Sequence, residues 1–87
     1  LFLSGNDRVL GAAPAPEVIF RGNESFNDAA LRMALRFYDV RLEANTDETN
    51  ANDAAYFLQE FYFTRGFPEA TVTYEFLPGR VTLIIEE

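Results

Sequence analysis

Two apolar stripes at helical spacing follow one strand-like segment and precede two more, and this order constrains the fold most strongly. The later stripe falls at positions i, i+3, i+4, i+7 and i+8 and consists of Ala54, Phe57, Leu58, Phe61 and Tyr62. The earlier stripe consists of Ala30, Leu31, Ala34, Leu35 and Tyr38. A helix with one apolar face must bury that face against another layer. We therefore expect both helices to cover one face of a single sheet.

The strand-like segments differ in how completely they are apolar. Residues 17–21 place Val18 and Phe20 on one face, which predicts a first strand that ends at Gly22. Residues 70–77 alternate cleanly, and the side chains predicted to face inward are Ala70, Val72, Tyr74 and Phe76. This alternation predicts a strand with one face in contact with water.

The last segment, residues 81–85, is almost continuously apolar, which favours a position at the centre of the sheet. Pro78 and Gly79 separate it from the preceding strand, and the two strands are predicted to form a hairpin. Pro-Gly favours a type II turn, whereas two-residue hairpin loops favour primed turns. We therefore expect a loop slightly longer than Pro78 and Gly79.

The first helix is predicted to begin after Ser25, which resembles the cap of a capping box with Asp28 three residues later. It is expected to end near Phe37. Three further apolar side chains are predicted to widen its buried stripe: Phe26, Met33 and Phe37.

The second helix is predicted to begin at Asn50, with Asn52 as an alternative cap, after a polar connection over residues 39–52. Gly66 is predicted to end it, because glycine readily adopts the left-handed backbone that closes many helices. Arg65 would then face the negative helix end, and Phe67 would cover the last turn.

The element order predicts a two-layer α+β sandwich, β-α-α-β-β, formed by residues 17–87. Residues 1–16 contain two prolines and many small side chains, which indicates a linker or N-terminal extension. The remnant of a signal peptide and the cut end of a longer chain are the alternatives for this segment.

The composition argues against catalysis and against nucleic-acid binding. The chain has no histidine and no cysteine, so the commonest general base and the thiolate nucleophile are missing. No cofactor motif occurs, and no cofactor is predicted. The net charge of −7 would repel phosphates, so we expect no nucleic acid among the partners. The chain is therefore predicted not to be an enzyme.

A group of side chains before and within the second helix offers the hard oxygen ligands that calcium prefers: Asp47, Glu48, Asn50, Asn52 and Asp53. The spacing lacks the central glycine and the twelfth-position glutamate of an EF-hand loop. Solvated loop residues and helix caps are the preferred interpretation, and no metal is predicted.

Three stretches in order carry a family resemblance: residues 18–23, Ser25 before a helix that reaches Leu35, and residues 62–72. The last reads Tyr-Phe-Thr-Arg-Gly-Phe-Pro-Glu-Ala-Thr-Val. Together they resemble the polypeptide-transport-associated (POTRA) domain, over residues 17–87. The resemblance implies two antiparallel helices on a three-stranded mixed sheet. The long acidic connection is a departure from the family pattern.

The resemblance also implies a function, that of a periplasmic module in a larger outer-membrane protein that assembles or translocates outer-membrane proteins. The implied partners are unfolded outer-membrane protein segments, accessory proteins, neighbouring POTRA domains and a C-terminal β-barrel. Binding is expected by β-strand augmentation at the open edge of the hairpin's first strand, through Thr71, Val72, Thr73, Tyr74, Glu75 and Phe76. The alternative is that residues 1–10 or a neighbouring domain cover this edge.

Two other functions are alternatives to a transport module. A POTRA-like domain of a bacterial cell-division protein is the rival within the family. An RNA-binding KH domain shares the strand-helix-helix-strand core, but it needs a Gly-X-X-Gly clamp, and residues 38–52 contain no glycine.

Tyr56 and Phe63 lie off the main apolar stripe of the second helix. They are predicted either to pack against the connection and the first helix or to form a docking patch.

Overall fold

The computed structural model describes residues 17–42 and 47–87. Its elements are β1 (Glu17–Arg21), α1 (Asp28–Phe37), α2 (Glu48–Thr64), β2 (Thr71–Leu77) and β3 (Arg80–Glu86). The predicted β-α-α-β-β order and α+β class are confirmed. The predicted linker or extension over residues 1–16 lies outside the described residues.

The three strands form one mixed sheet in the order β1-β3-β2. β3 runs parallel to β1, with Val18 opposite Val81, and antiparallel to β2, with Val72 opposite Ile85. The prediction that the most apolar strand lies at the centre is confirmed. β2 is therefore an edge strand of this three-stranded sheet.

The helices and the sheet enclose one apolar core. Its largest fully buried side chains are Tyr62, Leu31, Leu42, Leu58, Leu83 and Val81. Burial of a side chain such as Leu58 contributes about 1.5–3 kcal/mol to stability. Ring contacts show that the helices are antiparallel, because Phe26 before α1 meets Phe61 late in α2 at 5.0 Å, whereas Tyr38 after α1 stacks on Phe57 at 4.8 Å.

The predicted helix caps are wrong at both N-termini. Asn27 caps α1, because its Oδ1 accepts a hydrogen bond from the Ala30 N–H at 2.9 Å, whereas Ser25 donates to Glu87 at the far end of the chain. Asp47 caps α2 by accepting from the Asn50 N–H at 2.8 Å. The polar residues 48–52 therefore form the first turn of α2 and part of the next, and the connection is shorter than predicted.

The buried stripe of α1 is narrower than predicted. Met33 is 68% exposed and Phe37 is 85% exposed, so neither widens the core. Phe26 is partly buried and packs against the core, as expected. The side chains that α1 contributes to the buried core are those of Leu31, Ala34 and Leu35.

The hairpin loop is also shorter than predicted. Leu77 pairs with Arg80, which leaves Pro78 and Gly79 as a two-residue loop, and Gly79 has φ +78°. The fixed φ of proline followed by a left-handed glycine is the type II combination. The turn is supported from the far side of β3, because the Glu17 N–H donates to the Gly79 carbonyl at 2.9 Å.

The end of α2 confirms the prediction made at Gly66, whose φ is +95°. The Phe67 N–H donates to the Tyr62 carbonyl at 3.0 Å, and the Gly66 N–H donates to the Phe63 carbonyl at 3.3 Å. These two bonds form a Schellman motif, which directs the chain from the helix toward β2.

Candidate functional site

The predicted binding residues 71–76 lie on β2, which pairs with β3 on one side and with no other strand in residues 17–42 and 47–87. An unpaired strand edge presents main-chain donors and acceptors in a row. The structure therefore brings the six predicted residues together along one open edge.

The Val72 N–H shows which main-chain groups of β2 face that edge. It donates to Gln59 Oε1 of α2 at 3.0 Å and so points away from β3. In an antiparallel pair, main-chain groups turn toward the partner at every second residue. Tyr74 and Phe76 must therefore present their N–H and C=O groups at the open edge, while Thr71, Thr73 and Glu75 bond with β3.

Gln59 accepts a hydrogen bond from the outward N–H of Val72, whereas the outward main-chain groups of Tyr74 and Phe76 remain open. Within the described part of the chain, no side chain or loop donates to or accepts from the main chain of Tyr74 or Phe76 on this side. The open part of the edge is thus centred on residues 74–76. The sequence predicted the strand, but it did not predict that Gln59 would accept a hydrogen bond from the Val72 N–H.

A groove of about 390 Å³ runs beside this edge, between α2 and β2. Its α2 wall consists of Asn52, Asp53, Ala55 and Tyr56, and its β2 wall consists of Val72, Thr73 and Tyr74. The groove lies on the helix side of the sheet, because Val72 is buried there and Tyr74 is partly buried. A strand added to β2 would direct every second side chain into it.

The hydroxyl group of Tyr74 donates to Glu48 Oε2 at 3.0 Å and so joins β2 to the start of α2. This hydrogen bond, rather than burial, is the main reason that the pKa of Tyr74 is raised. Asp53 lines the groove and makes no hydrogen bond or ion pair with the residues that the structure describes. The charges that the described residues place at the groove, those of Asp53 and Glu48, are therefore both negative.

Tyr56 and Phe63 are both 60% exposed, which argues against the alternative that they pack against helix one and the connection. α2 buries the predicted stripe, and Phe57 of that stripe, rather than Tyr56, stacks on Tyr38 after α1. Tyr56 borders the groove beside β2, whereas Phe63 lies outside it. Because they are seven positions apart, the two residues lie on the same side of α2, about two turns from each other.

A second apolar groove, of about 700 Å³, lies between the two helices. Its lining includes Ala29, Ala30, Met33, Phe37, Phe61 and Arg65. Sequence reasoning missed it because Met33 and Phe37 were assigned to the core. The pattern that could have revealed it is the pair Ala29 and Ala30, whose small side chains leave a gap beside two large neighbours.

Glu87 forms a polar cluster away from both grooves. Its carboxylate accepts from the Ser25 N–H at 2.9 and 3.2 Å, from the Ser25 hydroxyl at 3.0 Å and from the Tyr62 hydroxyl at 2.8 Å. These bonds, led by that of the Ser25 N–H, lower the pKa of Glu87. Burial and then the bond to Glu87 raise the pKa of Tyr62. The cluster joins the end of β3 to α2 and to the loop before α1.

The oxygen-bearing side chains of residues 47–53 serve as a helix cap, as a hydrogen-bond acceptor and as part of the groove wall. Asp47 caps α2 and Glu48 accepts from Tyr74, while Asn52 and Asp53 line the groove. Among residues 17–42 and 47–87, no three carboxylates are grouped so that they could hold a metal ion. In the same ranges no helix combines the length and the apolar character needed to cross a bilayer.

Comparison with known proteins does not assign the chain to a family. No family model matches the sequence, and no curated protein is significantly similar to it. The functional argument therefore depends on the geometry of the β2 edge and on the sequence resemblance described above.

Proposed function

We propose that residues 17–87 form a POTRA-type module that binds extended protein segments by strand addition to β2. The observation that carries this proposal is the open main-chain edge at Tyr74 and Phe76, beside a groove that can receive side chains. In the wider proposal, the module lies on the periplasmic side of the outer membrane within a protein that assembles or translocates outer-membrane proteins. Neighbouring domains and a β-barrel would share that chain.

Strand addition suits a binder of many unfolded segments. Main-chain hydrogen bonds supply affinity that depends little on the partner's sequence, and pockets for alternate side chains add selectivity. β2 contains seven residues and none of them is lysine or proline, the residues that commonly protect an edge from pairing. Glu75 supplies the one charge along it.

The opposite edge of the sheet is less suited to the same role. β1 has five residues, and Arg32 of α1 donates through Nη2 to the Val18 carbonyl at 3.1 Å. The guanidinium group of Arg32 also lies 5.1 Å from the centre of the Phe20 ring. Arg32 therefore occupies an acceptor that a strand beside β1 would need, which favours β2 as the binding edge.

The proposal is tested by titrating the isotope-labelled chain with an unfolded peptide from an outer-membrane β-barrel and recording amide shifts. We expect the largest shifts at residues 71–76 and slower hydrogen exchange of the Tyr74 amide. Shifts confined to the groove between the helices, with β2 unmoved, would overturn the proposal.

Two variants separate the main chain of β2 from its side chain. Tyr74→Pro removes an outward N–H that β3 does not use, so the sheet should persist while peptide binding is lost. Tyr74→Phe keeps the amide and the ring and removes only the hydrogen bond to Glu48. It should bind nearly as well as the original chain. Circular dichroism confirms that both variants are folded, and equal binding by both contradicts strand addition.

A further inference from the structure

The groove beside β2 changes in character along its length. Gln59 contacts Val72 and Glu48 contacts Tyr74, so α2 and β2 run in opposite directions. Near Val72 the α2 wall is therefore the apolar pair Ala55 and Tyr56. One helical turn earlier, toward the Tyr74 end, the wall becomes polar and acidic.

The spacing of these two regions matches the spacing of side chains on an added strand. Residues two apart in a strand share one face and lie about 6.5–7 Å apart. Ala55 and Tyr56 are about one turn, or 5 Å, from Asn52 and Asp53 along the helix axis. Two side chains at positions i and i+2 of the partner would therefore meet the apolar region and the acidic region respectively.

The charge in the acidic region is open to a partner. Asp53 lines the groove, and the described residues give its carboxylate no hydrogen bond or ion pair. Glu48 lies at the Tyr74 end, and Asp53 is the charged residue that the described part of the chain contributes to the groove wall. The whole chain carries a net charge of −7, which adds to the attraction of a cationic segment.

We propose that the β2 edge selects extended segments in which an aromatic or aliphatic residue lies two positions from an arginine or lysine. This inference rests on the proposed function, because it specifies the partner of the same edge. The apolar side chain packs against Tyr56 and Val72, and the cationic side chain pairs with Asp53. A partner parallel to β2 carries the apolar residue first, and an antiparallel partner carries the cation first.

The test uses short threonine-rich peptides, labelled with a fluorophore, that contain Phe-Thr-Arg or Arg-Thr-Phe. In two further sets, Gln or Glu replaces the arginine. Anisotropy titrations give Kd, and amide shifts report whether β2 is the site. We expect the preferred arginine peptide to bind about threefold to fivefold more tightly than its glutamine counterpart, and the glutamate peptide to bind weakest. The preference should shrink as salt is added.

Two matched variants locate the charge that is responsible. Asp53→Asn should abolish the preference for arginine over glutamine while leaving the glutamine peptide's Kd unchanged. Glu24→Gln makes the same change in net charge at an exposed position before α1 and should keep the preference. Equal effects of the two variants would mean that net charge alone attracts the peptides, which overturns the role of Asp53.

The outcomes also separate this inference from the function on which it rests. If all three peptide classes shift β2 equally and bind with the same Kd, strand addition stands and the selectivity is wrong. If no peptide shifts residues 71–76, the proposed function itself fails.

Discussion

Gly22, at the end of β1, lies where no side chain fits. Its φ is +81°, and a Cβ at this position would collide with the carbonyl oxygen of Ile85 in β3. The sequence predicted that the chain would turn here because glycine permits the backbone angle. The contact with β3 could not be predicted, because Ile85 is far along the chain and reaches Gly22 only through parallel pairing of β1 with β3.

Gly22→Ala should therefore destabilise the chain by at least about 2 kcal/mol, since backbone strain and overpacking both act. Gly79→Ala is the matched control, because Gly79 has φ +78° but no atom would lie within 4 Å of its Cβ. We expect the control to cost about 1 kcal/mol from strain alone. Urea unfolding of both variants measures the difference, and equal losses would contradict the role of Ile85.

Glu87 should make stability depend on pH in the acid range. Its pKa is lowered from 4.5 in the folded chain, chiefly because the Ser25 N–H donates to the carboxylate. The unfolded chain therefore takes up the proton first as the pH falls. The stabilisation is complete above the unfolded pKa of 4.5 and is lost as the pH falls through the folded pKa.

The measurement is urea unfolding between pH 7 and pH 3. Glu87→Gln should weaken the fall in stability below about pH 4.5. Glu86→Gln, a matched change at the exposed neighbouring residue, is the control for the loss of one negative charge. A steeper fall in Glu87→Gln would contradict the assignment.

At the scale of elements, the number, order and buried faces of the helices and strands were predictable, whereas the helix starts were not. Ser25, Asn27 and Asp28 are all able to cap a helix, as are Asp47 and Asn50. The choice depends on contacts that are distant in sequence, because Ser25 donates to Glu87 and Phe26 packs against Phe61. Periodicity along one helix contains no information about such contacts.

The end of α1 gives a prediction at the same scale. Asp39 has φ +62°, and it closes a Schellman motif in which the Val40 N–H donates to the Leu35 carbonyl at 2.8 Å. Asp39→Gly should stabilise the chain by up to about 0.5 kcal/mol, because glycine adopts this backbone without strain and the loss of the exposed ion pair with Arg41 offsets part of the gain. Asp39→Ala removes the same carboxylate and keeps the strain, so it should not stabilise. Thermal unfolding distinguishes the two, and a gain in both would point to the charge instead.

At the scale of the whole molecule, the candidate site depends on which strand lies at the edge of the sheet. The alternation of β2 and the apolar character of β3 were enough to predict this arrangement. The groove depends in addition on how α2 lies across β2, which is visible only in the contacts of Gln59 and Glu48. Strand order thus followed from sequence pattern, whereas the position and lining of the groove required the packed structure.

Phe61 and Phe63, near the end of α2, show the same distinction between pattern and packing. Phe61 is 8% exposed and Phe63 is 60% exposed, although they are only two positions apart in the sequence. Phe63→Glu should change the free energy of unfolding by less than about 0.5 kcal/mol, as for other surface substitutions. Phe61→Ala should cost about 3–5 kcal/mol, because it leaves a cavity where the Phe26 ring now packs.

Thermal unfolding of the two variants, with circular dichroism as the readout, separates the surface position from the core position. If Phe63→Glu also keeps the original peptide affinity, Phe63 takes no part in strand addition at β2, which agrees with its place outside the β2 groove. If it instead unfolds as readily as Phe61→Ala, Phe63 belongs to the core and its availability for docking a neighbouring domain is contradicted.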